Sequence, residues 1–444
     1  MINGGRSRKQ LIVRGQFSRL WWAGTISSIG DWVELFATIA LGNLIGGTPG
    51  AIVPLIGRFA PGLILTPLGG LLADRVDRCK TMLISDISRG VLVLSLIWVD
   101  TLPELFLVSL MIEMMSLIRQ PAREAVMPTL VTEDELVDAN SLSVLSAYGT
   151  FPVGAMLWAA FGSLPIWTQS FNSWPAWATV NSGSEWTVGY VLDSFTFFVS
   201  AIIVWTMAAT TIPLSDNDPS ARGDWRSPLR DMAEGLRFVT GNRDVRVVIF
   251  GMSAALFGGG ALVGLGTEFA KDNFLSGANG GLGVLSVALG AGVGAAVLGV
   301  GKLNQFRIHR TVVFSGALLV AGVGMVGLSA ATTLIGAAAL AALVGLGAGV
   351  SYVYGLTYLG ERVEDKLRGR TFATLFALGR TALLVSLGIA AFGSQLLDNL
   401  FEAPFDDGVR LLLMVGGFVI VLSGVTTLWA MREEFAQPPA GSDA

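Results

Sequence analysis

The chain has 444 residues, of which 52% are hydrophobic, only 14% are charged and 56 are glycines. Soluble chains carry about 25% charged residues and about 7% glycine, so the composition argues against a soluble enzyme. A net charge of −4 without a basic domain argues against nucleic-acid binding. The single Cys79 and the single His309 exclude an intramolecular disulfide and metal sites built from Cys or His clusters, and we expect no cofactor.

Apolar windows of about 19 residues predict a multi-pass membrane protein. In chain order the twelve predicted spans cover residues 18–45, 50–73, 80–99, 103–120, 141–166, 188–213, 245–270, 279–301, 311–328, 331–359, 372–397 and 409–431. The first span follows a basic N-terminus but is too long for a signal-peptide core, so we expect it to remain in the protein. The ninth and tenth spans nearly merge, and only Ala331 to Thr333 indicate a turn between them.

The positions of the basic residues predict the orientation. With a cytoplasmic N-terminus, 24 of the 29 Lys and Arg residues lie in inner segments, and only Lys271 and Arg410 lie outside. The other three, Arg58, Arg89 and Arg380, lie within predicted spans. Since inner loops are enriched in Lys and Arg, both termini are predicted to be cytoplasmic.

Two polar breaks organise the chain. Residues 214–244 predict a cytoplasmic linker that ends in an amphipathic helix, with Leu229, Met232, Leu236 and Val239 on one face. It separates a six-helix bundle over 1–213 from a second over 245–431, as expected for two parallel repeats, and 432–444 form a cytoplasmic tail. The outer loop 167–187 contains four Trp residues, so it either lies on the headgroup layer or forms a lid over a pathway.

The segment GGLLADRVDRCK, Gly69 to Lys80, lies between spans two and three. Gly70 allows close helix approach, and Asp74 can accept hydrogen bonds from a helix N-terminus. The basic residues of the segment keep the loop at the inner surface of the membrane; they are Arg75, Arg78 and Lys80. This segment resembles the signature loop of the major facilitator superfamily, with Asp77 in place of its second Gly. Together with Pro121 to Ser143 and Asp365 to Arg380, it is more similar to the branch of enterobactin exporters and macrolide efflux pumps.

The resemblance implies an all-α membrane fold of twelve helices in two six-helix pseudo-repeats, with spans one, four, seven and ten around a central cavity. It also implies that Gly70, Asp74, Arg75 and Arg78 form a gating loop that stabilises one inner arrangement. Arg368 and Arg370 occupy the equivalent place in the second half. They are either gate partners or positive-inside anchors.

Charged residues inside the predicted spans are candidates for function, because an ionised group there costs about 2.5 to 3.5 kcal/mol. At about 1.5 Å per residue, Asp31 in span one and Arg58 in span two lie at similar depths and can pair. Glu34 lies one turn from Asp31 on the same face, and Glu113 lies near the middle of span four. With no His in the spans, proton coupling must use these carboxylates, unless Asp31 and Arg58 form a permanent structural pair.

The remaining features are interpreted mainly as structural. Asp86 and Arg89 are predicted to pair within span three, while Asp193 and Glu268 lie near outer ends of spans. Gly290 with Gly294, and Gly345 with Gly349, predict close helix contacts. Tyr352 and Tyr354 in span ten are candidates for a substrate cavity, although Tyr residues also favour the membrane interface.

These features predict a secondary transporter that exports a small organic molecule, such as a drug, siderophore or other metabolite, by alternating access against proton flow. The alternatives are a facilitator, an importer or a lysolipid transporter of the same fold, and more remotely a receptor or scaffold. The sequence contains no phosphate-binding loop, nucleophile elbow or metal cluster, so we do not expect an enzyme. We expect a monomer in the bacterial plasma membrane, with lipid, protons and a small-molecule substrate as its partners.

Overall fold

A computed structural model describes residues 8–73, 77–132, 135–163, 185–208, 227–273, 278–303, 309–363, 365–400 and 407–432. All regular secondary structure in these ranges is helical. The chain separates into two compact units, Met1–Pro228 and Leu229–Ala444. In the ranges described, the protein is therefore all-α, and each unit is described separately.

Seven described helices belong to the first unit, and an eighth begins at its boundary with the second unit. They are α1 (Arg8–Val13), α2 (Gln16–Ala73), α3 (Arg78–Ser95), α4 (Leu102–Val126), α5 (Leu136–Tyr148), α6 (Phe151–Ser163), α7 (Glu185–Ala208) and α8 (Ser227–Gly241). Short 3-10 turns, Leu96–Trp98 and Met127–Leu130, follow α3 and α4. Thr101 caps α4 in a reciprocal arrangement with Glu104, which satisfies backbone N–H groups at the helix start.

The second unit continues with six long helices in the part of the chain that the structure describes. They are α9 (Arg243–Asn273), α10 (Ala278–Leu303), α11 (Arg310–Ser329), α12 (Leu334–Arg362), α13 (Asp365–Leu400) and α14 (Gly408–Ala430). The side chains of Thr333 and Asp407 cap α12 and α14 by accepting hydrogen bonds from Gly336 N at 3.2 Å and Arg410 N at 2.9 Å. The turn predicted at Ala331 to Thr333 is confirmed, because α11 ends at Ser329 and α12 begins at Leu334.

Helices of the structure overlap all twelve predicted spans, within the described ranges. Eight described segments are long and apolar enough to cross a membrane. Spans one and two form the two halves of α2, which bends at Gly46 and Gly47. Gly47 adopts φ +62°, a left-handed conformation that glycine tolerates best, so it permits this bend.

Span five was predicted as one segment over 141–166, but α5 and α6 are separated at Gly149 and Thr150. Pro152 explains the break, because proline has no N–H to donate into the preceding turn and disfavours helical geometry at the residue before it. The break leaves α6 as a short apolar helix packed against α2.

The helix α2 packs against the other helices of the first unit, most extensively against α4 and α7. A Cβ added at Gly30 would lie 2.2 Å from Asp193 Oδ1 of α7, and one at Gly154 of α6 would lie 2.4 Å from Trp32 Cβ. A Cβ added at Gly189 of α7 would lie 3.1 Å from Ala37 Cβ of α2. Small residues thus bring α6 and α7 against the part of α2 that contains Asp31 and Glu34.

Candidate functional site

Five charged residues from four predicted spans meet inside the first unit. They are Asp31, Glu34, Arg58, Arg89 and Asp193, which we name the charge cluster. Asp31 and Glu34 lie on the first half of α2, Arg58 on its second half, Arg89 on α3 and Asp193 on α7. Both α2 and α3 pack closely on α7, and this arrangement brings the side chains together.

Glu34 and Arg58 form one of the two direct ion pairs of the charge cluster. The Arg58 Nη1 donates to Glu34 Oε2, and Thr38 donates to the other carboxylate oxygen at 2.6 Å. Glu34 is only 3% exposed. Both oxygens of this carboxylate therefore have a donor, which offsets part of the cost of burying its charge.

Asp31 lies between two arginines. Its Oδ1 lies 3.5 Å from Arg58 Nη2, so the predicted approach of Asp31 and Arg58 occurs, although Glu34 is the closer partner of Arg58. The same oxygen accepts a direct hydrogen bond from Arg89 Nη2. The Arg89 guanidinium also lies 4.0 Å above the Phe197 ring of α7. Through Arg89, α3 therefore contacts both α2 and α7.

The predicted pairing of Asp86 with Arg89 along α3 is wrong. Asp86 instead contacts Arg119 Nε of α4 at 2.5 Å and accepts a hydrogen bond from Ser200 of α7 at 2.7 Å. Spacing along one helix permits a pair, but neighbouring helices offer each residue a partner of opposite charge. The Asp86–Arg119 pair therefore connects α3, α4 and α7 apart from the charge cluster.

Asp193 was predicted near an outer helix end, but the structure places it in the interior, where it is 0% exposed. Because α7 begins at Glu185, Asp193 lies about 12 Å along the helix. Its Oδ1 accepts a hydrogen bond from Thr196 at 3.1 Å, while Oδ2 has no hydrogen-bond partner among the described residues. Depth arithmetic from Glu185, the first described residue of this helix, places Asp193 level with Arg58.

Glu113 lies on α4 and is half-buried. Its charge acts on Arg58, as do the charges of Asp31 and Glu34. A small cavity beside these groups is lined by side chains of both halves of α2 and of α4; its lining residues include Glu34, Thr38, Arg58, Ser109 and Ile112. The predicted group of Asp31, Glu34, Arg58 and Glu113 is thus gathered in one region of the first unit.

The gating loop is described only in part. Asp74 and Arg75 lie outside the described residues, and of Gly70 only its place on α2 is described. The Arg78 guanidinium donates to the carbonyl of Ala125 at 3.1 Å, which ties the start of α3 to the end of α4. Asp77 caps α3 by accepting from Lys80 N at 3.0 Å.

Arg370 has a partner that sequence reasoning missed. Its Nη1 donates to Glu234 of α8, and a Cβ added at Gly235 would lie 2.5 Å from the Arg370 carbonyl oxygen. The helix α8 therefore packs directly on the first turns of α13. The side chain of Arg368 lies outside the described residues.

Tyr354 is buried in the hydrophobic core of the second unit, and Tyr352 packs against that core. The same core contains Met252 of α9 and Phe314 of α11. These contacts give both tyrosines a packing role within their own unit, and a role in substrate binding stays a prediction.

The profile of the Major Facilitator Superfamily matches residues 20–383. YfiS of Bacillus subtilis (strain 168), an uncharacterized MFS-type transporter, is 27% identical over 48% of this chain and 47% of its own length. BacE of the same organism, a proposed bacilysin exporter, is 24% identical over 90% of this chain and 92% of its own.

Among solved structures, a bacterial homolog of the human lysosomal transporter Spinster, inward-facing and unoccupied, has a similar fold. The two align with a TM-score of 0.72 and 13% identity, over 96% of this chain and 99% of that one. At this identity the likeness shows the fold alone. The family match over most of the chain decides the assignment: the protein belongs to the Major Facilitator Superfamily and is a multi-pass integral membrane transporter.

Proposed function

We propose that the protein is a proton-coupled secondary transporter that exports a small organic molecule by alternating access. The observation that supports this proposal is the buried charge cluster of the first unit, in which three carboxylates face two arginines. Glu113 adds a fourth acid that acts on Arg58. A region with more acids than bases, shielded from water, favours the uptake of protons.

Carboxylates are the groups that can exchange the coupling proton, because the only histidine, His309, precedes α11 and lies outside the predicted spans. Protonation of Glu34 or Asp31 neutralises the acid and weakens its contact with Arg58. Since both halves of α2 meet at this contact, a change of protonation changes how tightly spans one and two are held. This is the link we propose between proton binding and the change of access.

Export of a drug, siderophore or other metabolite is the direction we favour, and it is supported by the similarity to the proposed exporter BacE over 90% of this chain. The loop motifs support the branch of enterobactin exporters and macrolide efflux pumps. A facilitator, importer or lysolipid transporter would share the same fold, and a receptor or scaffold would lack flux that follows a gradient. We further propose that the protein acts as a monomer in a bacterial plasma membrane, with no nucleic-acid partner.

Flux measurements in reconstituted liposomes test the proposal. The purified protein is assayed with ethidium, a lysophospholipid and a catecholate siderophore, each with and without an imposed pH gradient. We expect gradient-driven accumulation of at least one compound, lost in Glu34→Gln and Glu113→Gln, because neither amide can exchange a proton.

Glu124→Gln is the matched control, because Glu124 lies on α4 like Glu113 but is exposed and accepts a hydrogen bond from Gln120 at 2.6 Å. Accumulation by this variant should equal that of the wild type. Equal transport with and without the pH gradient would show a facilitator. Full proton coupling in both glutamine variants would contradict the assignment of Glu34 and Glu113.

A further inference from the structure

Asp193 differs from the other acids of the charge cluster, because it forms no ion pair with any residue that the structure describes. It is fully buried, its Oδ1 accepts a hydrogen bond from Thr196, and its Oδ2 has no hydrogen-bond partner in the part of the chain that the structure describes. The backbone of Gly30 presses against this carboxyl group, since an added Cβ would lie 2.2 Å from Oδ1. Asp193 therefore lies beside Asp31, across the interface of α2 and α7.

The charges around Asp193 can be named for each described helix that packs on α7. The α2 helix presents Asp31 and Glu34, and α3 presents Arg89. Arg58 is engaged by Glu34, and Asp86 with Arg119 forms its own pair that contacts α7 at Ser200. The short α6 has no charged residue. Arg89 is thus the cation within reach of Asp193, and its direct partner is Asp31.

Burying an ionised carboxylate without a paired cation costs several kcal/mol, roughly, and such groups are usually neutral instead. A neutral carboxylic acid costs less to bury, because its charge is absent and only its dipole must be accommodated. The Thr196 hydroxyl donates a hydrogen bond to Oδ1, which can accept it whether Asp193 is ionised or neutral. The arrangement described here is therefore suited to a neutral Asp193 next to an ionised Asp31 paired with Arg89.

From this geometry we propose that Asp193 is a proton-carrying residue of the transporter, with Arg89 as the cation that it shares with Asp31. While Arg89 pairs with Asp31, Asp193 keeps its proton on Oδ2. When Asp31 takes up a proton, Arg89 turns to Asp193, the O–H bond of Asp193 breaks and its proton leaves to water. Total charge is conserved, because one acid gains a proton as the other loses one. This inference rests on the proposed proton coupling and adds the residue on α7 through which it runs.

Infrared spectroscopy of the full-length protein in liposomes tests Asp193 without knowledge of the substrate. We expect the difference spectrum between neutral and alkaline pH to contain the C=O stretching band of a protonated carboxyl group. This band should be lost in Asp193→Asn and kept in Asp86→Asn. Asp86 is the matched control because it is equally buried but pairs with Arg119.

Two further measurements keep the test decisive. Heavy-carbon aspartate in the wild-type protein should shift the band, which assigns it to aspartate even if Asp193→Asn fails to fold. Asp31→Asn frees Arg89 from its direct partner, so the band should be absent at neutral pH in this variant. A band that survives in folded Asp193→Asn, or that does not shift with labelled aspartate, would overturn the proposal for Asp193. Gradient-independent flux in the wild type would instead overturn the proposed function.

Discussion

At the residue scale, Arg58 is the side chain that joins both halves of α2. It contacts Glu34 directly and approaches Asp31 at 3.5 Å. Removing one partner of a buried ion pair leaves an uncompensated charge, whereas replacing both partners by apolar groups is often tolerated. The pair can therefore be tested separately as a structural feature and as part of the proton pathway.

We expect Arg58→Met to destabilise the protein by about 3–5 kcal/mol, because Glu34 loses its cation. The double variant Arg58→Met with Glu34→Leu should regain most of this stability, since Asp31 keeps Arg89 as its partner. The unfolding temperature in detergent measures the effect. Arg8→Met is the control, because the Arg8–Asp138 pair is exposed and such pairs contribute about 0–1 kcal/mol.

The same double variant distinguishes the two interpretations of the charge pair. If the pair acts in coupling, the stable double variant still lacks transport driven by a pH gradient. Normal gradient-driven transport in the double variant would make Arg58 and Glu34 a purely structural pair.

At this scale, the depth of a residue in its helix was enough to predict part of the charge cluster. Rise per residue placed Asp31, Glu34 and Arg58 together, and the structure brings them into contact. Depth did not place Arg89, because it says nothing of how a helix is rotated about its axis. It did not place Asp193, because the predicted span began at residue 188, whereas the helix is described from Glu185. Which helix faces which neighbour is set by close contacts such as Gly30 with Asp193, and these contacts are visible only in the fold.

At the element scale, glycines determine how α10 packs on α12. A Cβ added at Gly345 would lie 2.0 Å from the Leu289 carbonyl oxygen, and one at Gly349 would lie 2.7 Å from Ala296 Cβ. The predicted close contact of Gly345 and Gly349 is confirmed. The prediction is wrong for Gly294, which has open space, because the contact of α10 uses Gly292 instead.

We expect Gly345→Val to destabilise the second unit, because the side chain would collide with the backbone of α10. Overpacking of this kind costs typically about 1–3 kcal/mol. Gly294→Val is the matched control, because an added Cβ at Gly294 meets nothing within 4 Å. Thermal unfolding in detergent should show a lower midpoint for Gly345→Val alone. Equal midpoints for the two variants would contradict the packing of α10 on α12.

At the scale of the whole molecule, the apolar composition and the positions of the charges predicted the membrane spans and their orientation. The hydropathy pattern predicted the spans because a bilayer about 30 Å thick requires about 20 apolar residues per helix, and described helices overlap each of them. The break in span five and the bend at Gly46 and Gly47 depend on single residues within apolar stretches. Averaging hydropathy over a window of many residues hides the effect of a single residue. The hydropathy pattern therefore did not separate α5 from α6.

Orientation in the membrane gives a prediction for the entire chain. The excess of Lys and Arg in the predicted inner segments, 24 against two outside, predicts cytoplasmic termini. Green fluorescent protein fused after Ala444 should fluoresce, and alkaline phosphatase fused there should be inactive. Phosphatase inserted within residues 167–187 should be active. Phosphatase activity at the C-terminus would reverse the orientation.

The docking of α8 on α13 defines how the two halves of the chain are tethered. Contacts of Glu234 and Gly235 with Arg370 assign α8 to the second unit, so residues 209–226 are the stretch between α7 and α8. Fully extended, a stretch of this length reaches at most about 60 Å. Two half-proteins divided within 209–226 keep α8 with its own helices and lose only their covalent tether. Halves divided after Gly241 separate α8 from the bundle on which it rests.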